Sequence, residues 1–284
     1  LMRACNFNCV YCYNPTEKTR EPGRELTDSE IRSVVSQARA LGARSLILLG
    51  GEPLLYPGIA ALCDWIHGLG MGIDVFTNGT RLTSELAENF FRNGVRVVLK
   101  MNARDAARQN RLAGHGAAHE IIQTALTHLR AAGFPSATAR LGISSIICRE
   151  NLNEIEPLWR WARENDIEPY FERMNPSGNA VDHADQLTIP PEELFRVFAR
   201  LAEIDRTEFG REWTPQPPLA GHRCLRHKYS CTVTADGHVQ PCVGVTFSVG
   251  NVRELQLKQI LRDSESMDAL RHFEDNIKGP CSRC

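Results

Sequence analysis

Strand and helix patterns alternate along this chain from Cys12 to about residue 175, and no other feature constrains its fold as much. Thr27-Asp28-Ser29-Glu30 is a capping box that opens a helix, with Ile31, Val34, Val35, Ala38 and Leu41 on its apolar face and Gly42 closing it. A buried strand follows at 45–49. The pattern then predicts helices at about 58–69, 83–93, 118–132 and 153–165, and strands at about 72–76, 95–100, 141–147 and 167–173. Such alternation implies parallel strands joined by right-handed crossovers. Only four residues precede Cys5, too few for a strand leading into the loop there, so natural residues are expected upstream of Leu1. With that strand the count is six β/α units.

The opening loop carries Cys5, Cys9 and Cys12 as a C-x3-C-x2-C triplet. Three thiolates in eight residues can hold three irons of a 4Fe–4S cube and leave the fourth bare. A bare iron binds a reactant, whereas a fully ligated cluster only relays electrons. The competing reading is zinc, which takes a fourth ligand and usually paired C-x2-C units. Gly50-Gly51-Glu52-Pro53 directly follows a strand, where open parallel sheets present their ligands. The glycines permit close backbone approach, and Glu52 can add charge-assisted acceptance. Thr77-Asn78-Gly79 ends the next strand. Further on, Lys100 pairs in parity with Asn102, Ser144 with Cys148, and Tyr170 with Glu172.

The triplet, the Gly-Gly-Glu-Pro turn and Thr77-Asn78-Gly79 together resemble the radical S-adenosylmethionine (SAM) superfamily. The resemblance implies an α/β fold with an open (β/α)6 partial barrel, and a SAM-binding 4Fe–4S cluster on Cys5, Cys9 and Cys12. SAM would take the fourth iron through its amino and carboxylate groups. An electron from the cluster would then yield methionine and a 5′-deoxyadenosyl radical that abstracts hydrogen. The resemblance also places Tyr11 near the adenine, and Gly50, Gly51, Glu52 and Pro53 at the SAM ammonium. Thr77, Asn78, Lys100, Asn102 and Ser144 fall at the strand ends that face the carboxylate, the ribose or the substrate. Glu172 and Arg173 are the first polar candidates for substrate chemistry, with Glu172 suited to remove a hydroxyl proton as a carbon radical forms.

Eight of the ten cysteines lie in two clusters at the two ends of the chain, unlike a small, cysteine-dense disulfide scaffold. They read as metal ligands in a reducing cytoplasm. Twelve residues separate Cys224 from Gly237, Gly237 and Cys242 form G-x4-C, Cys281 and Cys284 form C-x2-C, and Asp236-Gly237 signals a hairpin. This layout resembles the SPASM/twitch subgroup, most closely the twitch arrangement of aminocyclitol dehydrogenases. It implies a small cysteine-rich β-hairpin/helix domain, twitch or SPASM-like, with an auxiliary 4Fe–4S cluster on Cys224, Cys242, Cys281 and Cys284. Four thiolates also suit a structural zinc. Cys231 is the surplus thiol: a substitute ligand, a hydrogen donor or a buried cysteine. Cys148 is a second candidate donor. The expected domains are a partial barrel at 1–178, a linker with one helix at 179–223, and the auxiliary cluster domain at 224–284.

A net charge of −1 argues against a nucleic-acid partner, and no apolar run approaches the roughly 18 residues of a membrane helix. The expected function is a cytoplasmic oxidoreductase, fed by an external one-electron reductant of flavodoxin or ferredoxin type. It would abstract hydrogen from a polar small molecule (an amino sugar, cyclitol or similar alcohol) and dehydrogenate it, with the auxiliary cluster accepting the electron. The alternatives are redox-neutral epimerisation with a Cys hydrogen donor, and modification of a ribosomal peptide or protein by thioether formation, crosslinking or side-chain oxidation.

Overall fold

The computed structural model describes residues 1–14, 25–215, 226–243, 245 and 247–279. Its elements run α1 (Asp28–Ala40), β1 (Ser45–Leu48), α2 (Ile59–Gly68), β2 (Gly72–Thr77), α3 (Ser84–Arg92), β3 (Arg96–Lys100), α4 (Ala106–Ala113), α5 (Ala118–Ala132), β4 (Leu141–Ile147), α6 (Leu152–Glu164) and β5 (Glu168–Arg173). Then come α7 (Asn179–Asp182), α8 (Ala184–Leu187), α9 (Pro191–Glu208), α10 (Arg226–Tyr229), β6 (Thr232–Val233), β7 (His238–Gln240), β8 (Gly250–Asn251), α11 (Leu257–Asp263), α12 (Glu265–Arg271) and α13 (Phe273–Asn276). The described residues divide into two compact units: Met2–Asn14 with 44–215, and 25–43 with the chain from 226 onward.

In the first unit, β1 to β5 form a parallel sheet in sequence order. β4 is buried along its whole length, as expected of a parallel strand covered by crossover helices. Among the described residues the sheet has five strands, where the sequence counts six β/α units. Met2 O and Ala4 O accept the N–H groups of Gly51 and Glu52 at 2.7 and 2.8 Å, so residues 2–4 lie beside the end of β1 without joining the ladder among the described residues. α4 is a helix that apolar periodicity does not predict. Asp105 caps it by accepting Arg108 N–H at 2.8 Å.

The stretch expected as a linker contains α7, α8 and α9, and α9 is bound to α6 through buried Asp205. Asp205 accepts Trp159 Nε1–H at 2.7 Å and Arg163 Nε–H at 2.9 Å. Trp213 packs on Trp159 and Phe198. Among the described residues, no helix is long and apolar enough to cross a membrane.

The second unit holds α1, whose capping box forms as expected: Thr27 N–H donates to Glu30 Oε2 at 2.8 Å, and Glu30 N–H donates to Thr27 Oγ1 at 3.3 Å. β6, β7 and β8 make a small antiparallel sheet. The predicted hairpin is present, closed by Thr234 N–H to His238 O at 2.8 Å and Gly237 N–H to Thr234 O at 3.0 Å. Val239, Leu257 and Ile260 form its core, and Ala38 of α1 and Cys231 pack against them. Arg253 pairs with Glu30 at 2.6 Å. Sequence periodicity reads α1 as the first barrel helix; these contacts place it in the same unit as the C-terminal segment.

Candidate active site

The Cys5–Cys12 loop is held by side-chain amides at the carboxyl ends of the sheet. Asn78, just past β2, donates to Asn6 Oδ1 at 3.1 Å and approaches Cys5 Sγ at 3.9 Å. Asn6 in turn donates to Thr80 Oγ1 at 3.0 Å. Asn14 Nδ2 donates to Gly50 O at 2.8 Å, and Asn179 Nδ2 to Asn8 Oδ1 at 2.8 Å. Val10 N–H reaches Leu112 O at 3.1 Å, and Ala180 N–H reaches Cys12 O at 3.2 Å. Gly178 has φ 58°, and a Cβ there would overlap the carbonyl oxygen of Asn14, so only glycine fits.

Burial raises the pKa of all three thiols, Cys9 to about 12. The charge of Cys12 adds to the upward shift of Cys5 and Cys9, while Lys100 favours the thiolates of Cys9 and Cys12. Thiols so disposed become thiolates by binding metal. Among the described residues, no three His, Cys, Asp or Glu side chains converge on a single ion. Three partly buried thiols on one loop would give a cube one thiolate for each of three irons.

In the Gly-Gly-Glu-Pro turn, expected at the SAM ammonium, backbone groups and Glu52 are bonded within the protein. Gly51 N–H and Gly50 O are engaged by Met2 and Asn14. A Cβ on Gly50 or Gly51 would overlap the backbone of Met2 or Ala4, so the glycines admit a neighbouring chain segment. Pro53 is buried and opens a single 3-10 turn, Pro53–Leu55. Glu52 is 1% exposed and accepts Leu54 N–H at 2.9 Å, Thr77 Oγ1–H at 2.5 Å and Asn78 N–H at 2.7 Å. Its carboxylate joins the ends of β1 and β2.

Burial pushes the Glu52 carboxyl up to about 7 from 4.5, against the downward pull of those three hydrogen bonds. The folded chain then holds a proton that the unfolded chain releases near pH 4.5, so stability falls as pH rises from 4.5 to about 7. Denaturant unfolding of the cluster-free protein checks this. Glu52→Gln, which cannot ionise, should flatten the slope across that window, and identical slopes would refute the effect.

The sheet curls so that Phe76 on β2 and Tyr170 on β5 meet edge to face, with ring centroids 5.4 Å apart. In the register, Lys100 lies beside Ser144 and Ser144 beside Tyr170, with Ile146 beside Glu172. Lys100 Nζ donates to Ser144 Oγ at 3.1 Å and stands 5.1 Å from the Tyr11 ring centroid. Burial lowers the Lys100 pKa, and Glu172 opposes that shift.

Four further candidates divide by burial, three buried and one exposed. Asn102 is fully buried and bonded within the protein, donating to Tyr11 Oη at 2.7 Å and accepting Ile146 N–H at 2.8 Å. Tyr11 is 5% exposed and packs with Cys148 and Leu112 beneath the loop. Arg173 is exposed, at opposite strand parity to Tyr170 and Glu172. Cys148 is buried, and that burial raises its thiol to about 11.

Sequence reasoning missed the amides that organise this region. Gln109 Oε1 accepts Asn102 N–H at 2.7 Å, and Asn151 Nδ2 donates to Asn102 O and Ile146 O at 2.9 Å. The available signal was the density of asparagine around the triplet, at Asn6, Asn8 and Asn14. In the second unit Cys242 and Cys231 are half-buried, and burial raises the Cys231 thiol. Cys224, Cys281 and Cys284 lie outside the described residues.

Residues 1–162 match the radical SAM superfamily, and residues 224–284 match the SPASM iron–sulfur cluster-binding domain. This chain belongs to the radical SAM superfamily. It is an enzyme of the SPASM subgroup, whose cofactors are SAM, a 4Fe–4S cluster and auxiliary iron–sulfur clusters. It is 26% identical to the AdoMet-dependent heme synthase of Methanosarcina barkeri, across all of this chain and 86% of that one. It is 27% identical to the PqqA peptide cyclase of Streptomyces rochei, across all of this chain and 79% of that one. In fold it resembles Streptococcus suis SuiB bound to precursor peptide SuiA, with a TM-score of 0.76 at 16% identity, covering 95% of this chain and 65% of that one. The chain thus spans less than two thirds of that structure's length.

Proposed function

We propose that this radical SAM enzyme modifies a side chain of a ribosomal peptide, by crosslinking, thioether formation or oxidation. The observation that carries this reading is the similarity, along the whole chain, to a PqqA peptide cyclase. It displaces dehydrogenation of a cyclitol-like small molecule, the first expectation from cysteine layout. Cys5, Cys9 and Cys12 would hold the SAM-binding cluster, and Cys224, Cys242, Cys281 and Cys284 the auxiliary one. When bound, SAM and the clusters supply one-electron chemistry: hydrogen-atom removal from an unactivated carbon, and an acceptor for the electron that then leaves.

The chain's own residues bind and orient. Lys100 and Glu172, opposite charges within electrostatic reach of each other, orient peptide backbone and side chains at the lumen mouth. Glu172 takes the proton released as the substrate is oxidised. An external reductant of flavodoxin or ferredoxin type supplies the starting electron.

The test is anaerobic incubation of reconstituted enzyme with SAM, a one-electron reductant and the short peptides encoded beside its gene. Mass spectrometry should show loss of two hydrogen atoms per crosslink, and Glu172→Gln should slow that loss. Peptides left unchanged while a polar alcohol is oxidised would reject the reading. In D2O, uptake of one deuterium into product of otherwise unchanged composition would instead establish epimerisation.

A further inference from the structure

We propose that Arg96 is a positioning residue: it ties β2 to β5 across the concave face of the sheet. It thereby fixes how far the end of β5 that carries Glu172 stands from the end of β2 that holds the cysteine loop. Arg96 lies on β3. Its Nη1 donates to Asp74 Oδ2 on β2 at 3.0 Å, and its Nε donates to Glu168 Oε2 on β5 at 2.7 Å. β2 adjoins β3, but β5 is two strands away, with β4 between. Strands in a ladder stand about 4.8 Å apart, so this side chain spans a gap that strand pairing does not bridge directly. The Arg96 side chain is 15% exposed, which limits solvent screening of both ion pairs.

Gly142 is where β4 makes room. In the register it lies between Val98 on β3 and Glu168 on β5. A Cβ there would stand 3.1 Å from Glu168 O and 3.4 Å from a Val98 methyl carbon, so this close approach suits glycine. β4 then presents no side chain between Val98 and Glu168. One pleat away on each strand, Phe76 and Tyr170 join β2 to β5 a second time, with ring centroids 5.4 Å apart.

A closed barrel fixes its own curvature, because its last strand pairs with its first. Here the described ladder runs from β1 to β5, and pairing sets only the spacing of neighbours. The twist between adjacent strands ranges over roughly 10–35°, so side chains decide the separation of β2 and β5. The cysteine loop hangs on β2 through Asn78, which donates to Asn6 Oδ1 at 3.1 Å. Glu172 lies near the end of β5. Arg96 touches neither; it holds the two strands that carry them. Hydrogen-atom transfer needs close approach, and a misplacement of about 1 Å can cost on the order of 100-fold. The consequence for turnover rests on the peptide-modifying reading, whereas the tie between strands does not.

Pulsed EPR on the reconstituted full-length enzyme, with its clusters oxidised, reads the tie. Spin labels go on keto amino acids placed at Arg81, beyond the end of β2, and Arg173, at the end of β5; both residues are exposed, and the cysteines stay unlabelled. In Arg96→Met the distance between labels should lengthen and its distribution broaden. Glu168→Gln keeps the shape of the carboxylate and should shift the distance the same way, which covers an Arg96 variant that fails to fold. Arg140→Met is the control: Arg140 is 57% exposed and meets Glu168 from the start of β4, so its loss should leave the distance unmoved. With a peptide that the wild type modifies, unlabelled Arg96→Met should yield about tenfold less modified peptide per 5′-deoxyadenosine formed. A merely structural Arg96 would lower the melting temperature and leave distance and yield as they are. That result overturns the inference, as does an equal lengthening in Arg140→Met or a lengthened distance with unchanged yield. Failure of the wild type to modify any peptide would reject the peptide reading alone, because the distances are read without substrate.

Discussion

Replacing Cys5, Cys9 and Cys12 together by alanine should abolish reductive SAM cleavage and remove about four of roughly eight irons from the reconstituted enzyme. The effect is all or none, because an open iron is what gives SAM its place. The loop itself should survive. Its hold on the strand ends runs through Asn6, Asn8, Asn14 and backbone groups, and the thiols contribute little to it. The cluster-free triple variant should therefore melt close to the cluster-free wild type. Iron analysis and product chromatography read the first result, and calorimetry reads the second. Persistent 5′-deoxyadenosine formation in the triple variant would refute the assignment of these cysteines.

Asp205→Ala should produce the largest loss of stability, about 3–5 kcal/mol, the usual cost of removing one partner from a buried ion pair. Asp205 lies at 0% exposure, with Arg163 and Trp159 Nε1 both donating to it. Removing the carboxylate leaves a nearly buried guanidinium and an indole N–H without acceptors. The same change loosens α9 on α6, leaving the more exposed Arg160–Glu208 pair at 2.7 Å as a remaining tie between the two helices. Denaturant unfolding of the cluster-free protein should show the midpoint shift, and the folded fraction should keep its iron content. A loss below about 1 kcal/mol, the scale of an exposed pair, would show that solvent replaces the lost acceptor.

Much of the fold was legible because it depends on local periodicity. The five strands and α2, α3, α5 and α6 between them follow from apolar spacing, and the α1 capping box from four consecutive residues. α4 was not legible. Its sequence AARQNRLA has few apolar positions, and only the Asp105 cap and Gly114 at its end mark its limits. The segment around α9 read as a linker because its prolines dominate the pattern. The contact that binds it to α6 joins Asp205 to Arg163 and Trp159, outside the reach of any local pattern.

The cluster chemistry belongs to the sequence by itself: three thiols in eight residues lie in one loop in any fold, and strand–helix alternation puts that loop at a sheet end. Only the tertiary structure decided which polar groups remain for a ligand. A carboxylate or amide has few hydrogen-bonding sites, and in the interior each is filled by whichever donor or acceptor the fold brings near. Glu52 is filled by Leu54, Thr77 and Asn78, and Asn102 by Tyr11, Ile146, Gln109 and Asn151. Most of those partners are distant in sequence. Residue type and strand parity can place a side chain at the mouth of the barrel, but its partners are set by packing between elements.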